Sequence, residues 1–392
     1  MTTSLFENTE TAFEYQSTPG LKKAKFLFQL FGNNTLVSLG TSATNIALSL
    51  HLPISSLFKI TVFNHFCGGE NFAECTKTIQ FLSKFNVGSM LNYGVELKET
   101  EEDFEKTILQ TLESIAFAGK NTQVKSICIK LTGFGRFDLF EKMDRKEILS
   151  KNEEIELQSI KKRLDRLCVA AKENDVVLYV DAEESWIQDA LDGLVEEMME
   201  KYNLQKPVIF NTIQLYRNDR LAFLERSIHI AKSKGYFYGV KIVRGAYMEK
   251  ERERANAIGY PSPIHVDNPS TDKDFNAGMQ LCFNHLDIVT VCVASQSEES
   301  NLLAISLIDE MNIARNHPNI LFAQLLGMGD NITFNMAKAG FNVCKYLPYG
   351  PVKEVIPYLI RRAQENTSVQ GQMGRELKLI LTELARRKKA GC

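Results

Sequence analysis

Short apolar runs rich in β-branched residues recur along the chain from residue 87 onward, and charged amphipathic stretches separate them. Runs this apolar are typical of strands that are covered on both faces in a parallel sheet. Eight runs are predicted as strands: Val87–Tyr93, Ser126–Leu131, Val176–Asp181, Pro207–Ile213, Tyr238–Arg244, Asp287–Val293, Ile320–Leu325 and Val343–Leu347. The stretches between them, such as 152–174 and 221–234, have helical periodicity.

Strands that alternate with helices over residues 87–366 predict an α/β fold, a distorted (βα)8 barrel. A doubly wound open sheet is the alternative, but no Gly-x-Gly-x-x-Gly follows any predicted strand. Residues 1–85 show helical periodicity without strand runs, so we predict an N-terminal helical arm there. The barrel is expected to occupy 86–370, and 371–392 to form an amphipathic helix with a basic tail.

Composition narrows the function classes. The 46 basic and 48 acidic residues give a net charge of −2, so no nucleic-acid partner is predicted. The eight cysteines are scattered without a Cys-x-x-Cys, which favours buried thiols in a reducing compartment. The six histidines avoid the predicted strand ends, so neither a metal site nor a Ser-His triad is expected. The acidic, polar first residues fit neither a secretory signal nor a transit peptide, and a cytoplasmic location is the expectation.

One stretch, 26–58, contains no Lys, Arg, Asp or Glu. Gly32 and Pro53 make it a poor membrane-spanning helix, so helices buried against the main domain are predicted. A peripheral contact with a membrane is the alternative for this stretch and for the basic tail, whose charges also suit the end of a helix dipole.

Polar residues collect where the predicted strands end. In a barrel these carboxyl ends form the active site. Seven residues make up this set: Glu96, Lys130, Asp181, Gln214, Lys241, Arg244 and Tyr349. The set has a cationic bias, which favours an anionic substrate and an anionic cofactor. Glycines after the last two strands would allow an anion to approach the backbone, but ordinary turn glycines explain them equally well.

The last predicted barrel helix carries an arginine pair. Tyr358, Arg361, Arg362 and Glu365 follow at spacings of three or four and share one broad face. Adjacent arginines can clamp a carboxylate, and a solvated charged face is the alternative. Pro357 predicts a kink or a restart of this helix.

Two segments resemble proline dehydrogenases. Lys241–Glu249, with the sequence KIVRGAYME, resembles the strand-five motif of that family, and 346–352 with 358–366 resembles its C-terminal motif. Supporting matches lie at 129–131, 180–183 and 322–328. The spacing between the last motifs is similar to that of the monofunctional, eukaryote-like branch. The resemblance implies oxidation of L-proline to Δ1-pyrroline-5-carboxylate by hydride transfer to FAD, with electrons passed to a membrane quinone.

The resemblance also implies roles for individual residues. Lys130, Arg361 and Arg362 would hold the proline carboxylate, and Glu96 would pair with an arginine as a gate. The ring of proline would be enclosed by Ala246, Tyr247, Leu325, Tyr349 and Tyr358, with Asp181 in support. FAD would be lined by Gln214, Lys241, Val243, Arg244, Gly245 and Ala246, and more weakly by Thr271, Ser295, Gln296, Glu365 and Ser368. Asn92 and Gln296 depart from the usual Asp and His of the family.

Three other functions stay open on the sequence. Lys130 at a strand end is a plausible Schiff-base amine, so an aldolase is one alternative. A hydroxyproline dehydrogenase is another, although a bulky Tyr349 favours proline because the family's hydroxyproline enzymes carry a smaller residue there. A barrel that only binds ligands is the third.

Overall fold

The computed structural model describes residues 5–32, 37–41, 44, 55–94, 98–368 and 372–391. Eight parallel strands form a closed barrel in chain order, β1 to β8, which confirms the predicted (βα)8 fold and excludes the doubly wound sheet. The strands are β1 Val87–Tyr93, β2 Val124–Ile129, β3 Val177–Val180, β4 Ile209–Gln214, β5 Tyr238–Val243, β6 Val289–Ala294, β7 Ile320–Leu325 and β8 Val343–Tyr349. The register between β1 and β2 shifts between Ser89 and Met90, a local distortion of the barrel.

Helices precede the barrel and alternate with its strands. In the described ranges they are α1 Thr9–Phe13, α2 Thr18–Phe31, α3 Ser55–Phe58, α4 Asn64–Phe66, α5 Phe72–Ser83, α6 Glu101–Gly119, α7 Phe137–Asp144, α8 Lys151–Glu173, α9 Ser185–Tyr202, α10 Arg220–Lys234, α11 Met248–Ile258, α12 Asn268–Phe283, α13 Glu298–Glu310, α14 Asp330–Lys338, α15 Val352–Ser368 and α16 Gln372–Ala390. Residues 37–41 are also helical. Two single turns of 3-10 helix lie at Leu5–Glu7 and Leu131–Gly133, and a π-helical segment lies at Lys59–Phe63.

Local sequence explains where helices begin. Ser150 accepts a hydrogen bond from the backbone of Glu153, and the Glu153 carboxylate accepts one from the backbone of Ser150. This capping box starts α8 because it satisfies two amide groups that have no partner within the helix. Of the predicted kink or restart in α15, the restart does not occur, since the helix continues through Pro357, and the kink stays a prediction.

The chain forms two compact units, and the predicted boundaries at 85 and 370 stay a prediction. One unit is Ser89–Ala323. Its strands are almost wholly buried, with side chains such as Ile213, Val240 and Val291 below 2% exposure. Because both faces of these strands are covered, their sequences read as continuous apolar runs.

The other unit comprises Met1–Gly88 and Gln324–Cys392. No strand precedes β1 in the described part of residues 5–85, and the helical arm stays a prediction. α2 packs against α16, and Leu21, Phe28 and Ile380 are buried in this contact region. The amide of Asn331 donates to the Phe6 carbonyl and Arg387 donates to the Phe13 carbonyl, so residues 6–13 are held by polar bonds as well as by apolar packing.

The seven described cysteines are buried free thiols, while Cys392 lies outside the described residues. Burial raises the pKa of Cys75 to about 12, with the Glu74 charge adding to the effect, so this thiol stays protonated and unreactive at neutral pH. Among the described helices, none combines the length and apolar composition that crossing a bilayer requires.

Candidate active site

A buried ion pair lies inside the barrel. Lys241 is in register with Thr212 of β4 and Cys292 of β6, and its ammonium donates a hydrogen bond to the Asp181 carboxylate. The sequence placed Lys241 at a strand end, but the structure places it in the middle of β5. Burial acts to lower the pKa of Lys241, yet the neighbouring Asp181 charge outweighs it and the pKa is raised. Lys241 therefore keeps a positive charge that Asp181 balances.

Lys130 follows β2 in an extended conformation, as predicted for a strand-end residue. Its ammonium lies 5.9 Å from the ring centroid of Tyr247, a cation–π distance. The structure thus brings together two of the residues that the sequence assigned to the substrate.

Glu183 is a site residue that the sequence reasoning missed. It follows β3, is 3% exposed, and its carboxylate accepts hydrogen bonds from the Thr132 backbone at 3.2 Å and the Thr132 hydroxyl at 2.6 Å. Burial raises its pKa to about 7, against the opposing effects of the Lys130 charge and the Thr132 bonds. The only sequence signal was its position two residues after Asp181 in the segment 180–183.

Gln214, the last residue of β4, connects neighbouring strand ends. Its amide nitrogen donates to the Glu183 carbonyl at 2.7 Å, and its amide oxygen accepts from the Ala246 backbone at 3.1 Å. The side chain is 3% exposed, so these two bonds satisfy its principal polar groups within the protein. Gln214 therefore fixes the segment that follows β5 relative to the end of β3.

Arg244, directly after β5, is held in one orientation. Its guanidinium donates to Asp272 at 2.8 Å, to the Ser295 hydroxyl at 2.7 Å and to the Ser300 hydroxyl at 2.9 Å. It also lies 4.5 Å from the ring centroid of Phe275. The Arg244 side chain forms an ion pair with Asp272 and keeps 27% exposure, so part of an oriented guanidinium remains accessible to a ligand.

Gly245 is required by both conformation and space. Its φ is +151°, and a Cβ there would lie 2.5 Å from ring atoms of Tyr216. Only glycine fits such a position without displacing the aromatic ring. The backbone beside Arg244 therefore adopts a path that no other residue would permit.

Residues of the end of β6 complete this cluster. Ser295 is 6% exposed and accepts from Arg244, while Thr271 on α12 is 8% exposed. The amide oxygen of Gln296 is buried, and in the described part of the chain it receives no hydrogen bond. A buried acceptor without a donor is costly, which makes Gln296 a candidate ligand contact.

The remaining predicted residues belong to the other unit. Leu325 ends β7 and is half-buried, while Tyr349 ends β8 at 2% exposure with its ring centroid 5.4 Å from that of Phe72. Tyr358 is buried and Arg361 half-buried on α15, three residues apart as the shared face requires. Glu96 and the side chains of Arg362, Glu365 and Ser368 lie outside the described residues.

Residues 75–375 match the family model described as proline dehydrogenase. Proline dehydrogenase 1, mitochondrial, of Drosophila melanogaster is 38% identical over 251 residues, which cover 62% of this chain and 37% of the fly protein. Hydroxyproline dehydrogenase of Xenopus laevis is 31% identical over 367 residues, covering 84% of this chain and 78% of the frog protein.

A solved structure shares the fold. Proline utilization A (PutA) from Bdellovibrio bacteriovorus, inactivated by N-propargylglycine, superposes with a TM-score of 0.72 at 17% identity. The match covers 94% of this chain and 37% of that one. This chain thus spans little more than a third of both the PutA chain and the fly relative.

Proposed function

We propose that this chain, which belongs to the proline dehydrogenase family, oxidises L-proline to Δ1-pyrroline-5-carboxylate with FAD as the hydride acceptor. The observation that carries the proposal is the cluster around Arg244 and Gly245 within the matched segment. A guanidinium held in one orientation suits a ligand that carries a pyrophosphate, and Gly245 sets the path of the backbone beside it.

The residues present fit FAD on two counts. Arg244 offers a positive charge that three hydrogen bonds already orient, so little side-chain entropy is lost when an anion binds. Gln296 offers a buried acceptor that has no donor in the described structure, which a hydroxyl or N–H group of a cofactor would satisfy. When bound, FAD would supply the hydride acceptor that no amino-acid side chain provides.

Lys130 would pair with the carboxylate of proline. Its ammonium lies over the Tyr247 ring, which helps to hold this cation in position. The resemblance assigns Arg361 and Arg362 to the same carboxylate. It assigns Tyr358, Leu325 and Glu96 to the enclosure of the substrate. These assignments stay predictions.

Two buried networks would keep this surface in place. The Lys241–Asp181 pair anchors the end of β3 to β5, and Gln214 anchors the segment containing Ala246. Neither network needs to touch substrate in order to act. Each restricts the motion of groups that do, and orientation of reacting groups is a large part of catalytic power. The predicted contacts of Lys241, Val243 and Gln214 with FAD stay part of the proposal.

L-proline is proposed over hydroxyproline because of Tyr349. Its side chain is almost fully buried and packs on Phe72, so it has little freedom to move aside for an added hydroxyl group. Hydroxyproline oxidation remains the second candidate, since a relative named hydroxyproline dehydrogenase covers most of this chain.

A quinone is proposed as the electron acceptor, reached through a peripheral contact with a membrane. Several relatives carry the word mitochondrial in their names, and a peripheral location agrees with the lack of a spanning helix among the described ones. The cytoplasmic location expected from the sequence stays a prediction.

Absorbance spectra test the proposal. The purified protein should show flavin bands that bleach when L-proline is added without oxygen, and the product should react with o-aminobenzaldehyde as a pyrroline does. D-Proline and glycine serve as controls. A colourless protein that borohydride traps covalently with a keto substrate at Lys130 would instead establish the Schiff-base aldolase.

A further inference from the structure

A groove of about 550 Å³ lies between α2 and α16, and none of the residues that line it is assigned to catalysis. We call it the α2–α16 groove and define it by Lys22, Lys25, Phe26, Leu384, Arg387 and Lys388. The two helices pack against each other within one unit, so the groove is part of a fixed surface.

The groove is basic. Its lining contains three lysines and one arginine but no carboxylate. Arg387 is engaged by Glu383 and by the Phe13 carbonyl. In the described part of the chain, no ion pair joins Lys22, Lys25 or Lys388 to an acid. These three ammonium groups therefore project an uncompensated positive potential from one face of the protein.

An exposed aromatic residue lies among these bases. Phe26 is 58% exposed, although Ala24 and Phe28 on the same helix are 3% exposed. Leu381 on α16 is 43% exposed. α2 thus has an apolar inner face and an outer face on which lysines flank a phenylalanine. Such an outer face is typical of helices that lie in the headgroup region of a bilayer.

We propose that the α2–α16 groove docks this protein on a membrane surface that contains acidic phospholipids. The lysines meet lipid phosphates, and Phe26 enters the boundary between headgroups and acyl chains. A second copy of this chain is a poor occupant, because its identical face carries the same positive charge. This docking surface rests on the proposed function, because a membrane contact would give access to a membrane quinone. It adds to that function the surface that contacts the lipid.

Cosedimentation with vesicles tests the docking surface. The intact protein should bind acidic vesicles, made of phosphatidylcholine with about 30% phosphatidylglycerol. It should not bind vesicles of phosphatidylcholine alone. Binding should weaken as salt is raised, because the Debye length shortens from about 10 Å at 0.1 M to about 3 Å at 1 M. Each removed base should lower the partition coefficient about fivefold, so Lys22→Ala with Lys25→Ala should lower it about 25-fold.

Matched variants separate this surface from net charge. Lys151→Ala with Lys232→Ala removes two exposed lysines from α8 and α10, outside the groove, and should bind as the parent does. Phe26→Ser should weaken binding without changing its salt dependence. The proposal would be overturned if both double lysine variants lost vesicle binding equally. It would also be overturned if the Lys22→Ala, Lys25→Ala variant bound as the parent does.

Activity with a soluble dye acceptor is measured in parallel. It should be unchanged in every variant, which shows that each one folds. A protein that binds acidic vesicles through the groove but does not oxidise proline would refute the proposed function alone. One that oxidises proline but ignores acidic vesicles would refute the docking surface alone.

Discussion

Replacing Glu183 by Gln should remove a large part of the pH dependence of stability. Glu183 is 3% exposed, and burial raises the pKa of its carboxyl from 4.5 to about 7. The Lys130 charge and the hydrogen bonds from Thr132 act in the opposite direction but do not restore the ordinary value. The folded state therefore prefers the protonated carboxyl, which a glutamine imitates in size and hydrogen bonding.

Proton linkage gives the direction and the magnitude of the change in folding stability with pH. Between pH 4.5 and about 7 the unfolded chain has lost this proton and the folded chain has kept it. The folded state binds more protons, so its stability falls as pH rises through this window and the loss is complete above pH 7. One pKa unit corresponds to about 1.36 kcal/mol, so the loss is about 3 kcal/mol.

Urea unfolding of the FAD-saturated protein at pH 4.5, 6 and 8 measures the effect. The Glu183→Gln variant should match the parent at the lowest pH and be more stable by up to about 3 kcal/mol at pH 8. Glu197→Gln, which removes an exposed carboxylate paired with Lys161, is the control for the loss of one acid as such. If the difference between parent and Glu183→Gln does not change with pH, the reasoning about burial at this position is wrong.

Three further predictions concern the proposed reaction. Arg361→Met should raise KM for proline roughly 10- to 150-fold with FAD content unchanged, because a charged hydrogen bond to the substrate is lost. Arg375→Met, which removes the partner of Glu7, is the control and should leave KM unchanged. Equal KM values for the parent and Arg361→Met would show that Arg361 does not bind the substrate. The parent should prefer L-proline over trans-4-hydroxy-L-proline by roughly 5- to 150-fold in kcat/KM, and Tyr349→Ser should reduce this preference, mainly by loss of activity on proline. Equal rates on the two substrates in the parent would contradict the proline assignment. Acid precipitation should release the flavin colour into the supernatant, since no His or Cys is among the residues predicted from the sequence to contact FAD. Colour retained in the pellet would disprove this.

The barrel could be predicted because its signal is local. Each strand is buried on both faces, so each is a nearly continuous apolar run, and two of the eight predicted ranges coincide with β1 and β7. The other six ranges differ by one or two residues at one or both ends, as at β2, where the predicted run ends at Leu131 but the strand ends at Ile129. Apolar character persists beyond the last ladder hydrogen bond, so composition alone does not mark the end of a strand.

The site could be predicted only in part, because its contacts join residues far apart in sequence. Lys130, Asp181 and Arg244 follow the strands as expected. The pairing of Lys241 with Asp181 joins β5 to the end of β3, which are not adjacent strands, and no pairwise sequence pattern specifies it. The bonds of Arg244 to Asp272 and Ser300 depend likewise on how α12 and α13 pack.

Two glutamines illustrate what sequence position leaves undecided. Gln214 ends β4 and Gln296 follows β6, so both are polar residues at barrel strand ends and both were assigned to FAD. The amide nitrogen of Gln214 donates to the Glu183 carbonyl and its amide oxygen accepts from the Ala246 backbone, so both groups already have partners within the protein. The buried oxygen of Gln296 receives no hydrogen bond among the described residues, as expected of a group that awaits a ligand. The same side chain at equivalent positions therefore has different capacities to bind, and only the surrounding hydrogen bonds distinguish them.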